Sequence, residues 1–447
     1  MTGPVAVGDV PFFDRARETA PPEVLRRWQW ERLAAGLGEV WSSNVFWRGR
    51  LQAAGVGDPR DIGTWTDFTR IPRLGKAELA ADQTAHPPFG TNHTDPVDRY
   101  VRVFQTSGTT GRPIRWLETE SSWAWWAQCW AFVFRGAGLG PHDRLFFPFS
   151  FGLFVGFWAG VEGARVLGAM TIPGGGQDSP TRLHAMRELG ATALVCTPSY
   201  GLHLAEVARS QGVEPATLGV RTTVHAGEPG AGIPAVRERL EALWGGRTYD
   251  HAGMTEVGAY GFECVQQAGL HVNELEFIAE ILDPESGQPV APGDLGELTL
   301  TNLGRWGAPV LRYRSGDRVR LARSECACGR TFMRLEGGIL GRVDDMLVVR
   351  GVNVFPSALE GIVRRFPVVE EFQIEVFRRG VLDEVRLLLE LDGSAGPSDG
   401  AQTTVGVAEA VRRDLGIRVE VAAVPARTLP RYELKSRRVV RRDDPRP

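Results

Sequence analysis

A chain of 447 residues, 43% hydrophobic and 23% charged, outgrows a single hydrophobic core, so two or more domains are expected. Its formal net charge of -3 gives no electrostatic footing for nucleic acid or an anionic membrane, and no run nears the ~20 apolar residues that span a bilayer. Five cysteines in so long a chain make no disulfide framework, and the first residues lack a basic segment followed by an apolar run. The expectation is a cytoplasmic small-molecule enzyme.

In chain order, the first hundred residues mix helical patterns, as at 23–37, with Pro-rich connections. Apolar runs at 101–105, 145–149, 193–197 and 222–226 read as short buried strands, with helices at 179–189 and 234–244. This alternation predicts a largely parallel sheet with helices on its faces. After Cys264 the pattern changes. Runs at 275–282, 296–301 and 311–321 read as strands separated by the turn sequences DPESG, APGD and RSGD, an antiparallel subdomain at about 265–340. Further on, 369–377 and 384–391 read as a hairpin, 405–415 as a helix and 419–424 as a strand, with SAGPSDGAQ near Ser394 as a surface loop. The fold class is α/β. A large N-terminal domain, 1–343, combines mostly parallel sheets with the antiparallel subdomain, and a small α+β domain follows at 344–447.

The strongest local signal is Thr106-Ser107-Gly108-Thr109-Thr110-Gly111-Arg112-Pro113, directly after a strand. Its glycines allow close backbone approach, its hydroxyl and cationic side chains suit phosphate oxygens, and successive N–H groups form an anion-binding concavity. It is not the GxxxxGK[ST] loop of P-loop NTPases. The segment resembles the phosphate loop of adenylate-forming enzymes, the superfamily of acyl- and aryl-CoA synthetases. Five more stretches follow in the order of that superfamily: His225-Ala226-Gly227-Glu228-Pro229, Gly253-Met254-Thr255-Glu256, Tyr313-Arg314-Ser315-Gly316-Asp317, Gly341-Arg342-Val343-Asp344-Asp345 and Pro430-Arg431-Tyr432-Glu433-Leu434-Lys435. Residues 149–154, Phe-Ser-Phe-Gly-Leu-Phe, and the C-terminal wording are similar to the phenylacetate–CoA ligase-like branch.

The resemblance implies ATP-dependent activation of a small, aromatic carboxylic acid to an acyl-adenylate, then transfer to the thiol of coenzyme A. It also implies roles. Thr106, Ser107, Gly108, Thr109, Thr110 and Gly111 would cradle phosphates. Gly227, Glu228, Pro229, Asp250 and His251 would line the nucleotide, and Asp317 would accept hydrogen bonds from the ribose hydroxyls. Thr255 would bond the α-phosphate, and Glu256 would hold Mg²⁺, a hard cation suited to one carboxylate plus phosphate oxygens. Arg342 would be a fixed cation beside the nucleotide, and Lys435 would stabilise charge developing during adenylation. Phe149, Phe151, Gly152, Ala226, Gly253 and Met254 would shape the acid pocket. Asp344 would be the hinge of a C-terminal lid that serves each half-reaction in its own arrangement. Three positions depart from the pattern: Ala252 stands in place of an adenine-packing aromatic, for which His251 is a candidate substitute, Arg112 in place of a lysine, and Leu434 in place of a glycine.

Cys264, His271, Cys326 and Cys328 offer three thiolates and an imidazole, a closed tetrahedral set for structural Zn²⁺. The competing readings are four small buried residues without metal, an acceptor that is a carrier-protein thiol or an amine, and a non-catalytic nucleotide- or acyl-binding relative. No nucleic acid or membrane partner is expected, and a homodimer is an open assembly state.

Overall fold

The computed structural model of the protein describes residues 10–442 except 107–112, 344, 350–351, 380–381, 394–395 and 433–435. Short strands rich in apolar side chains alternate with segments long enough for helical crossovers. Met170–Pro173, Arg144–Phe147, Ala193–Cys196, Thr222–His225 and Arg247–Met254 accordingly run parallel, side by side. Helices Ser179–Glu188, Pro198–Ser210 and Pro234–Trp244 fall between successive strands. Gly258–Glu263, Leu270–Val272 and Arg334–Leu335 extend the same sheet antiparallel, to eight strands. A four-stranded antiparallel sheet of Phe277–Leu282, Leu295–Asn302, Tyr313–Arg320 and Gly341–Arg342 stands beside it.

The third sheet is built on the hairpin Val369–Arg379 and Leu382–Leu391, with Val439–Arg442 and Glu420–Val424 added parallel to its two strands. Leu359, Val363, Val407 and Val411 from two helices cover it. This core contains buried residues only from Leu347 to Ile417 and is separate from the cores of the preceding chain. No helix among the described residues is long and apolar enough to cross a membrane.

Three expectations need correction. The run at 101–105 does not join the parallel sheet: Arg102–Gln105 pairs antiparallel with Arg115–Glu118 in a separate ribbon. Four residues carry too little pattern to say which neighbour they pair with. RSGD is no turn either. Tyr313–Arg320 is one strand in which Gly316 takes φ +77, next to a register shift opposite Glu297 and Thr299, so this glycine serves a bulge. Finally, most of SAGPSDGAQ is helix. Pro397–Leu415 begins with a proline in its first turn, after Gly396, whose N–H donates to Asp399 Oδ2 at 2.8 Å.

The antiparallel ribbon and the antiparallel sheet meet at a buried ion pair. Glu118 and Arg305 are both 0% exposed. The Arg305 guanidinium donates to both Glu118 oxygens and to the carbonyls of Thr255 (2.8 Å) and Glu256 (2.9 Å), between the rings of Trp116 and Trp126. Ser122 Oγ and Trp126 Nε1 also donate to Glu118. Arg305→Met should therefore strand a buried carboxylate and lower unfolding stability by about 3–5 kcal/mol. Chemical denaturation reads the change, and an unaltered midpoint and slope would show that the pair contributes nothing.

Candidate active site

The described residues that flank the phosphate-loop sequence are tied to each other at the end of the short ribbon. Thr106 N–H donates to Ile114 O at 2.9 Å, and Ile114 N–H donates to Thr106 Oγ1 at 3.1 Å, so the buried Thr106 closes the loop at its root. Ser107, Gly108, Thr109, Thr110, Gly111 and Arg112 lie outside the described residues.

Gly253, Met254, Thr255 and Glu256 occupy the end of the strand Arg247–Met254 and the turn after it. A Cβ on Gly253 would come within 3.0 Å of Gly258 O and 3.1 Å of His251 Nε2, so any larger residue would crowd this crossing. Thr255 and Glu256 are buried, with their carbonyls held by Arg305, and Glu256 Oε1 lies 3.4 Å from Lys76 Nζ. Sequence reasoning missed Lys76, Arg305 and Glu118. All three come from segments far from Glu256 in the chain, and no local pattern announces them.

Strand pairing brings the next two candidates together. Asp317 and Arg342 are direct partners across Tyr313–Arg320 and Gly341–Arg342. Arg342 Nη1 lies 3.4 Å from Asp317 Oδ1, and Tyr260 OH donates to Asp317 Oδ2 at 2.8 Å. Two directed donors hold the carboxylate in one orientation. Asp344, the expected hinge, lies outside the described residues.

Asp250 is fully enclosed beside Glu263 and Arg237. Burial, reinforced by the Glu263 charge, pushes its pKa up to about 8, so near neutral pH its carboxyl is mostly protonated and can donate a hydrogen bond. His251 donates from Nδ1 to Gly261 O at 2.6 Å and packs on Trp130 with ring centroids 4.4 Å apart. Burial lowers its pKa to about 4, which keeps the ring neutral.

Gly227 takes φ +96 and turns the chain after the strand Thr222–His225. Glu228 faces two ways: Oε1 accepts from Ser199 N at 2.9 Å, while Oε2 accepts from Ser436 N at 2.6 Å and Ser436 Oγ at 2.7 Å. Pro229 follows it. Arg431 makes the second link between the cores, with Glu206 at 3.1 Å and Glu390 on its own side. Lys435 falls between these two links in sequence and lies outside the described residues.

Phe149 is buried, its ring packed at 5.5 Å from Phe151 and 5.3 Å from Phe157. Phe151 is half-buried and edges Trp158 at 4.6 Å, and the Gly152 carbonyl accepts from Trp158 Nε1 at 3.1 Å. Ala226 is buried and Met254 half-buried. Leu153 O accepts from Gln105 N at 2.7 Å, which ties this aromatic loop to the strand that leads into Thr106.

Cys264, His271, Cys326 and Cys328 converge although 62 residues separate the first thiol from the second, and their ligand atoms all lie within 4.8 Å of one another. Cys264 Sγ and Cys326 Sγ are 3.7 Å apart, and Cys328 Sγ is 3.5 Å from His271 Nε2. Arg330 N–H donates to Cys328 Sγ at 3.4 Å. All four residues are buried, behind Val10 and Phe12.

The sequence family described as "AMP-binding enzyme" matches residues 45–304, and "AMP-binding enzyme C-terminal domain" matches residues 351–443. The chain is 33% identical to the phenylacetate-coenzyme A ligase of Thermus thermophilus over 435 residues, covering 93% of this chain and 96% of that protein. It is also 33% identical to the phenylacetate-coenzyme A ligase of Escherichia coli, over 94% of this chain and 96% of the relative. Among solved structures, it superposes on 2-hydroxyisobutyryl-CoA ligase in its postadenylation state with a TM-score of 0.91 at 30% identity, covering 97% of this chain and 92% of that one. Against the same ligase in its thioesterification state the TM-score is 0.73, over 99% of this chain and 94% of that one. With its motifs in order and both domains matched, the chain belongs to the AMP-binding, adenylate-forming enzyme family.

Proposed function

We propose that the protein uses ATP to activate a small aromatic carboxylic acid as its acyl-adenylate, releasing pyrophosphate, and then passes the acyl group to the thiol of coenzyme A. The observation that carries this reading is the mounting of Thr255 and Glu256 on Arg305 together with the pairing of Asp317 with Arg342, with phenylacetate-coenzyme A ligases similar over nearly the whole chain.

The work is positioning and charge neutralisation. Asp317, oriented by Tyr260 and Arg342, accepts from the ribose hydroxyls. Thr255 bonds the α-phosphate from a backbone that Arg305 holds in place. The acid's carboxylate oxygen attacks the α-phosphorus with Lys435 on the developing charge, and a thiolate then attacks the mixed anhydride. Aromatic side chains of the 149–154 loop support a flat, apolar acid. Glu256, nearly enclosed and anionic, suits one position on a hard cation. A magnesium ion held there would neutralise phosphate charge.

The two TM-scores against one relative support two arrangements of the C-terminal domain, with Asp344 as pivot. The present contacts of Arg431 and Ser436 with the large domain belong to the arrangement for adenylation. The cysteine cluster fits zinc on its chemistry. Tetrahedral Zn–S bonds of about 2.3 Å require sulfurs about 3.8 Å apart, and Cys264 and Cys326 are already 3.7 Å apart. With four protein ligands the site is closed, so the ion is structural.

Pyrophosphate exchange across a panel of aryl and short-chain acids tests the first step. Single-turnover transfer to coenzyme A, set against a carrier-protein thiol and an amine, tests the second. Transfer to either of the latter in preference would overturn the acceptor. Lys435→Ala should lower adenylation about 100-fold or more, in the range of removing one electrostatic stabiliser, while transfer from supplied acyl-adenylate survives. Equal loss of both steps would remove the lysine from its role. The purified protein should hold about one zinc per chain. Cys326→Ser should lose metal and melt at lower temperature, and full metal content in that variant would exclude the cluster as the site.

A further inference from the structure

Of the chain's 51 lysine and arginine residues, Lys76 and Lys435 are the only lysines. On a solvated face either cation serves, so a chain that otherwise uses arginine should keep lysine where a compact ammonium is required and a planar fork is not accepted. Lys435 has the role given above. Lys76 has none in that reading, yet it is built into the same site.

Lys76 is the first residue of the helix Lys76–Ala85. The Gly75 N–H donates to Glu78 Oε2 at 2.6 Å, which fixes the start of that helix. One residue earlier, Leu74 N–H donates to Arg312 O at 3.1 Å and Arg314 N–H donates to Leu74 O at 2.8 Å. The segment is thus stitched alongside the strand that carries Asp317. From this mount the ammonium lies 3.4 Å from Glu256 Oε1, with the Lys76 side chain 37% exposed and that of Glu256 9%. An ion pair as open as this contributes at most about 1 kcal/mol, which would not exclude arginine. Its position gives the reason for a lysine: the ammonium lies beside the carboxylate assigned above to a phosphate-bound magnesium, and its side chain is open enough to turn from Glu256 to a phosphate oxygen.

We propose that Lys76 binds the pyrophosphate portion of ATP, its ammonium donating to β- and γ-phosphate oxygens. The assignment rests on the adenylation reading. In that step the bond from carboxylate oxygen to α-phosphorus forms, the bond from α-phosphorus to the bridging oxygen breaks, and pyrophosphate departs with the electron pair. Lys76 neutralises the departing group and Lys435 the α-phosphate, so the two lysines divide the charge of one displacement. Before nucleotide arrives, Lys76 and Glu256 compensate each other.

Calorimetric binding of ATP, AMP and inorganic pyrophosphate to wild type, Lys76→Met and Lys76→Arg tests this, beside both half-reactions. Lys76→Met should weaken ATP and pyrophosphate about tenfold or more, as expected for one charge-assisted hydrogen bond, and leave AMP within about twofold. Adenylation should slow by a similar factor, acyl transfer from supplied acyl-adenylate should persist, and Lys76→Arg should recover only part of the pyrophosphate affinity. Unchanged affinity for ATP and pyrophosphate would overturn the proposal. So would an equal loss of AMP binding and of both half-reactions, which would mark Lys76 as structural. A wild-type protein that binds pyrophosphate through Lys76 but activates no acid would instead overturn the function proposed above.

Discussion

Arg305 is a buried cation that joins three pieces of chain which no hydrophobic contact would align so closely. Its guanidinium is committed to Glu118 on one side and to the carbonyls of Thr255 and Glu256 on the other. A cation in a low-dielectric interior requires an anion and full hydrogen bonding, so Glu118, Trp126 and Ser122 become part of the same constraint. The consequence is positional. The segment that presents Thr255 and Glu256 is held by its backbone, which leaves both side chains available for chemistry.

The rest of the site is arranged by strand register. Asp317 faces Arg342 because their strands pair there, and Tyr260 reaches the same carboxylate from the eight-stranded sheet. The bulge at Gly316 lets this strand continue through a sequence that otherwise looks like a turn. Two sheets thereby contribute to one carboxylate, and its geometry is set by elements whose own cores are buried.

Much of the α/β class was legible because parallel strands such as Ala193–Cys196 are uniformly apolar and alternate with helical segments. The motif residues were legible for a different reason: glycine, hydroxyl and carboxylate in fixed order carry chemistry that does not depend on tertiary context. Sequence could not show that Arg102–Gln105 leaves the main sheet, since four residues do not say which neighbour they pair with, nor that Asp399 starts a helix rather than a loop. It showed Glu228 as a turn residue but not its bond to Ser436, which spans 208 residues. Lys76, Glu118 and Arg305 remained invisible as partners for the same reason: a lone charge in a sequence reads as solvated surface until folding gives it a counterpart.

The link between the two cores has a further property. Arg431 bonds Glu206 of the large domain, but it also bonds Glu390, a side chain 0% exposed within its own domain. If the small domain turns away, as proposed above, the guanidinium keeps its nearer anion and leaves Glu206, which is already partly open to water. At Arg431 such a separation would strand no charge in an apolar setting, unlike the rupture of the Glu118–Arg305 pair. A seam of this kind is reversible by construction and is loosened by salt, which screens the exposed half of the contact and spares the buried half. On the two-arrangement reading proposed above, ionic strength would act as a rheostat on the balance between the two half-reactions.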